Sequence, residues 1–260
     1  MLLNRAKAQQ YGFRAAHMTV AATFTVLVFL AQFLFNSVTL DRLDGIGYDA
    51  KLTIIPPLPD SLANIQVVDI DERSLFEIER MPWRRSLYAE LVEKLSENGA
   101  IVIAFDVLFS EPQANPASPV IKSLRQTHQQ IQNDDDLVSK TLNEFDYDGK
   151  FADAMQGKEV VLGTLLHYQP DLKKGRLSEQ SVYQARSDIP DQVTTFYGYA
   201  GVIERLADAS VGLGFMNSVE DADGFVRRAA LISKVDDILY PSLAIEAFRA
   251  YSLADKLEPQ

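Results

Sequence analysis

Cysteine is absent from all 260 residues, which excludes disulfides, thiolate zinc sites and a cysteine nucleophile. Histidine is scarce: His17, His128 and His167 are scattered, so they form no i,i+4 metal pair and no visible triad. No Lys/Arg-rich run occurs, and the formal charge of -11 argues against nucleic acid as a partner, because a phosphate backbone requires a basic surface. What remains is 47% apolar and 23% charged, the proportions of a folded chain with a real core. The length allows one large domain with a small appendage, or two modest domains.

Charge is unevenly placed. Residues 1–40 hold Arg5, Lys7 and Arg14 and no acid, a balance of +3, which leaves -14 for the rest. From Ala15 to Leu40 there is no charged residue, and the centre reads MTVAATFTVLVFLAQFLF. A helix of that length, at about 1.5 Å per residue, exceeds the roughly 30 Å hydrocarbon core. The sequence therefore predicts a cytoplasmic N-terminus over 1–14 and a transmembrane helix over 15–40. The basic residues precede the span and Asp41 and Asp44 follow it, so the positive-inside rule puts the rest outside a bacterial inner membrane, in the periplasm. A cleaved signal peptide fits less well: its apolar region runs to only about 7–15 residues, and FNSVTLDRLD is a poor cleavage site.

Residues 41–64 read as a connector, with Gly45 and Gly47 breaking any helix and Pro56, Pro57 and Pro59 forcing an extended path. An extracytoplasmic domain is expected over 65–260. Ile65–Ile70 reads as a buried strand, Ser86 as the N-cap of a helix to Asn98 with Leu87, Leu91 and Leu95 on its stripe, and Ile101–Val107 as a second buried strand. Strand, helix and strand with short joins imply a crossover unit and a parallel sheet. A further helix is expected within Asp134–Gln156 and a strand at Val160–Leu165, while Pro112–Asn133 looks like an exposed insertion, partly helical at most. No element is assigned to Leu177–Ala200. GLGFMNSVEDADGFVRRAALIS predicts two short strands joined by the turn Glu220–Gly224, and Tyr240–Tyr251 an amphipathic helix with Leu243, Ala247 and Phe248 on one stripe. The fold class is thus α/β: one transmembrane helix, then an extracytoplasmic domain with a largely parallel sheet and a C-terminal hairpin and helix.

The carboxylates cluster at strand ends. Asp69 and Asp71 lie two apart, so in a strand their side chains share a face, and Asp106 closes the second strand. Ligands bind at the carboxyl ends of parallel strands. Asp69, Asp71 and Asp106, with Glu111, form a candidate site for calcium or magnesium, which take several oxygen ligands. The structural alternative is that each Asp caps a helix or turn, or pairs with Arg84 or Arg85. Trp83, the only tryptophan, either lines a ligand pocket in which Arg84 offers a fork to carboxylate or phosphate, or anchors its turn. Asp221, Asp223 and Gly224 read as a tight turn, or as a second calcium site. One of Arg227 and Arg228 is expected to face inward, with Asp69, Asp71 or Asp106 as its partner.

VVDIDERSL, MPWRR, GAIVIAFDVLFSEP, GFMNSVEDADGFVRRAAL and YPSLAIEAFRAY, in this order after one N-terminal span, resemble the type 2 CHASE domain from about Tyr48 to Tyr251. The resemblance implies the extracytoplasmic sensor of a bacterial receptor, not itself an enzyme, that regulates an adenylate, guanylate or diguanylate cyclase or a kinase. Its partners would be the membrane, an unidentified extracytoplasmic stimulus and a second copy in a homodimer. Members continue past a helix like Tyr240–Tyr251 into a glycine-rich strand and the output; neither is found here, so the C-terminal part is expected to be incomplete. Two other readings stand beside this one. Asp69-x-Asp71 also occurs in haloacid-dehalogenase-like phosphohydrolases, as nucleophile and general acid, which would make a membrane-anchored metal-dependent enzyme. An envelope adaptor without output is the third.

Overall fold

The computed structural model describes residues 17–30, 37–55, 64–127, 135–177, 183–184, 193–221 and 223–254. They fall into two compact units, Met1–Val68 with Glu220–Arg227, and Asp69–Val219 with Arg228–Gln260.

The first unit holds α1 (17–30) and α2 (Ser37–Ile54). Every described residue of α1 is exposed, including Phe24, Leu27 and Phe29. Among the described residues no helix is long and apolar enough to cross a membrane. The expected span over 15–40 includes 15–16 and 31–36, which lie outside the described residues. The helix-free connector is corrected: α2 runs through Gly45 and Gly47. Each glycine costs a helix only about 1 kcal/mol relative to alanine, and Gly45 serves packing, since a Cβ there would lie 3.1 Å from the Arg227 guanidinium carbon. The strand expected at Ile65–Ile70 does not form. Ile65, Val67 and Val68 are exposed, and no described strand supplies the ladder that would hold them.

In the second unit, α3 (Glu72–Glu77) and α4 (Arg85–Glu97) precede β1 (Val102–Leu108). α5 (Ala117–Thr127), α6 (Asp135–Glu144) and α7 (Tyr147–Met155) lead to β2 (Glu159–His167). Then come β3 (Lys173–Lys174), β4 (Tyr183–Gln184), β5 (Thr195–Phe196), β6 (Gly198–Ala200), α8 (Glu204–Ala209), β7 (Gly212–Phe215), β8 (Ile232–Val235), β9 (Ile238–Pro241) and α9 (Leu243–Tyr251). β2 pairs in parallel with β1 on Ala104↔Val161 and with β7 on Leu162↔Leu213. β6 joins β2 antiparallel and β3 joins β6 parallel, while a second sheet has the order β4-β9-β8-β5.

Burial explains the layers. β2 is enclosed from Val160 to Thr164, as its unbroken apolar run requires of a central strand. Ile103, Phe105, Val160, Leu162 and Leu213 enter one core with residues of α4, α7 and α8. A Cβ on Gly212 or Gly214 would instead strike Glu246 or the Leu243 backbone, so α9 lies against the opposite face of the sheet.

Of four local expectations three change, and the partly helical insertion does not. α4 starts at Arg85 rather than after a Ser86 cap, because the Gln113 side chain accepts from the Arg85 N–H at 2.7 Å and satisfies a donor that a cap would otherwise serve. The insertion Pro112–Asn133 contains the eleven-residue helix α5. β7 and β8 do not pair with each other; among the described residues the flanks of the acidic turn meet at the isolated Val219↔Arg228 bridge and through the Asp221 N–H, which donates to the Phe225 carbonyl at 2.9 Å. In α9 the buried residues are Glu246 and Ala250, and Phe248 is exposed.

Candidate functional site

The carboxyl end of β1 leads through Phe109 to Glu111 and Gln113, facing the start of α4 and the first turn of α7. There Arg85 Nε lies 3.3 Å from Asp148 Oδ1, both side chains 11% exposed. The Gln113 backbone N–H donates to Asp148 Oδ2 at 2.8 Å, and the Arg85 Nη2 donates to the Glu111 carbonyl at 3.3 Å. The guanidinium carbon stands 4.4 Å from the Phe109 ring centroid, a cation–π distance. Burial pushes the Arg85 pKa down, and the Asp148 charge opposes it. This buried pair holds the β1 exit, α4 and α7 together.

The expected site residues are distributed around it. Trp83 is buried in the core, its ring 6.2 Å from that of Tyr88, and its Nε1–H donates to the Glu79 carbonyl at 2.6 Å. Of its two readings, the geometry is that of a turn anchor. Arg84 pairs with Glu79 on the exposed side of the same turn. Glu111 turns outward to Lys174, whose hydrogen bond holds the carboxyl below the usual range. Asp106 is exposed on β1 and Asp69 precedes α3.

Asp71 is the N-cap of α3, accepting from the Ser74 N–H at 2.8 Å and the Ser74 hydroxyl at 2.7 Å. These bonds lower its pKa, the hydroxyl first, whereas a general acid needs a raised one. Among the described residues no three His, Asp or Glu side chains gather to hold a metal, so Asp69, Asp71 and Asp106 are not brought together as a calcium or magnesium site. The physical reason is the missing strand: without a ladder through 65–70, nothing aligns Asp69 and Asp71 with the end of β1.

Arg85 is only a possible partner in the sequence, and Asp148 gives no signal there beyond lying in the stretch Asp134–Gln156 expected to contain a helix; the structure puts it in the first turn of α7. An acid at such a position usually faces solvent; only the approach of α4 buries this one.

The first unit contains a separate ionic knot. Arg227, its side chain 8% exposed, takes Asp49 of α2 at 2.9 Å, Asp221 at 3.1 Å and Asp223 at 2.8 Å. These acids replace the partners expected at Asp69, Asp71 or Asp106, because Arg227 groups with α2 rather than with β1. The turn itself is closed by the Gly224 N–H donating to the Asp221 carbonyl, with Gly224 at φ +84. Gly45 and Asp49, one helical turn apart, form the socket: one leaves room for the guanidinium and the other accepts its bidentate contact.

Hydrogen bonding to Arg227 is the largest influence holding Asp49 and Asp223 below their ordinary pKa. With depressed folded values, their contribution is fully present above about pH 4 and is lost as pH falls through those lower values. Arg227→Ala is expected to speed amide exchange over 45–54 at neutral pH. After correction for intrinsic rates, acidification below about pH 4 should do the same to the unsubstituted chain and add little in the variant. Equal exchange in the two chains at neutral pH would refute the knot.

A family model, the CHASE2 domain, matches residues 22–260. No curated protein and no solved structure matches the chain.

Proposed function

Because the chain belongs to the CHASE2 domain family across residues 22–260, we propose that it is the sensory part of a bacterial inner-membrane receptor, with its N-terminus cytoplasmic and its main domain periplasmic. A CHASE2 domain is an extracytoplasmic sensory domain of signalling receptors rather than a catalytic one. In this reading the N-terminal segment anchors the chain, which works as a homodimer, and a stimulus on the periplasmic side controls a cyclase or kinase carried outside these 260 residues. A ligand approaching the Trp83–Arg84 turn and Glu111 would meet the exposed rim of the Arg85–Asp148 pair. Sensing then requires that the stimulus bind two states of the domain unequally.

The observation that carries the anchored topology is α1. Its fourteen residues, 17–30, include no Asp, Glu, Lys or Arg and are all exposed, so folding leaves an apolar helix uncovered. Soluble domains rarely leave a contiguous apolar surface uncovered unless it meets a partner or a membrane. In sequence the uncharged run continues to Leu40. Reporter fusions after Gln260 test the topology. Alkaline phosphatase is expected to be active and green fluorescent protein dark; the reverse pattern would place the domain in the cytoplasm and overturn the reading.

A further inference from the structure

Helices α5 and α6 face each other with apolar stripes. Val120, Ile121 and Leu124 line the α5 side, and Leu137, Val138 and Thr141 the α6 side. Such stripes ordinarily close until side chains interdigitate at crystal-like density. Here a slot of about 340 Å³ stays between them.

Polar contacts bridge the two helices at both ends. At one end Asn115 Nδ2 donates to the Leu142 carbonyl at 2.7 Å while Asn115 Oδ1 accepts from the Ala117 N–H at 2.9 Å. At the other, Arg125 pairs with Asp135 at 2.7 Å. Between them the wall is carbon, apart from the Thr141 hydroxyl, which gives its proton to the Leu137 carbonyl within its own helix at 2.8 Å. Val120 and Leu137 are consequently 56% and 52% exposed.

The dimensions select the occupant. The slot lies within the roughly 300–1,000 Å³ of small-molecule pockets and equals the liquid volume of about eleven waters. The residues that join the two helices in sequence, HQQIQND at 128–134, contain a single apolar residue, so their composition supplies no apolar cover. A polar or charged ligand would surrender its hydration to a wall with no group to replace it.

We propose that the slot between α5 and α6 binds a small uncharged hydrophobic molecule, an alkyl or alkyl-aromatic compound of about ten heavy atoms. Binding there stands by itself; its role as the stimulus rests on the sensory reading above.

The full chain in lipid nanodiscs, photolabelled with an uncharged alkyl diazirine in the presence or absence of butylbenzene, tests the slot. Label is expected in peptides spanning 117–145, saturating on the order of 0.1 mM and displaced by butylbenzene. Val120→Trp, which fills the slot from an exposed position, should lower that label about tenfold. Val120→Ala, which leaves it open, should keep the label and shows that substitution at this position is tolerated. Label on 17–30 reports lipid contact of α1 and should resist the competitor, so failure of the slot and failure of anchoring are read separately. Absence of saturable label in 117–145, or undiminished label in a folded Val120→Trp chain, would overturn the proposal.

Discussion

Asp148→Ala is expected to destabilise the second unit by about 3–5 kcal/mol, the range for removing one partner of a buried ion pair. The loss has two sources. Arg85 would keep a desolvated guanidinium with no counter-charge, its remaining contacts being the Glu111 carbonyl and the Phe109 ring. The Gln113 N–H, which now donates to Asp148 at 2.8 Å, would lose its acceptor. Trp83, the only tryptophan and buried in the adjoining core, reports the transition, so urea unfolding followed by its fluorescence is the measurement. Asp148→Asn should fall between the parent and the alanine variant, because it keeps an acceptor and loses only the charge. Adding Arg85→Met to Asp148→Ala should recover part of the loss, since the stranded charge goes with it. A loss under about 1 kcal/mol for Asp148→Ala would mean that the pair is solvated and worth no more than a surface bridge.

Phe151→Ala should cost a similar amount, about 3–5 kcal/mol, by a different route. Phe151 is fully buried on α7, with ring centroids 5.8 Å from Tyr88, 5.7 Å from Phe105 and 5.2 Å from Phe109. Truncation removes the transfer free energy of the ring and leaves a cavity that strand and helix residues cannot collapse into without moving the sheet. Edge contacts worth about 0.5–1.5 kcal/mol each disappear as well. The same urea titration measures it, and Phe151→Leu, which fills most of the volume, should recover much of the loss. If alanine and leucine proved equally mild, the aromatic cluster would not be the close-packed centre of the domain.

Elements that carry their own local signal were legible. The runs Ile101–Val107 and Val160–Leu165 became β1 and β2 within a residue or two, and β2 is covered on both faces as its apolar run requires. β1, at the end of the sheet order, buries Ile103 and Phe105 on one face and leaves Ala104 and Asp106 exposed on the other, so its expected full burial is corrected. Asn98-Gly99 ended α4, with Gly99 at φ +90. Where a residue's partner is distant in sequence, the reading failed. Glu246 is buried on α9 against Gly212 of β7, far upstream in sequence, and its ion-pair partner Arg249 reaches on to the Val211 carbonyl through Nη2. Hydrophobic periodicity had no means of placing a carboxylate on that stripe, and so it chose Phe248 instead.

The candidate site divides in the same way. Local chemistry sufficed for Asp71, whose cap bonds reach only to Ser74, and for the Gly224 turn, closed within four residues. The Asp69–Asp71–Asp106 grouping needed a strand at 65–70, and whether an apolar hexapeptide becomes a strand depends on a neighbouring ladder that no local pattern encodes.

By itself, then, the amino-acid order determined an α/β chain, an uncharged apolar N-terminal run and the family, because each rests on composition, short periodicity or separated motifs. Tertiary structure alone decided which charges are paired: Arg85 with Asp148, and Arg227 with Asp49 across 178 positions of sequence. A salt bridge is a property of two surfaces brought together. Its energy depends on the solvent that both surfaces exclude, which neither residue's neighbours in sequence control.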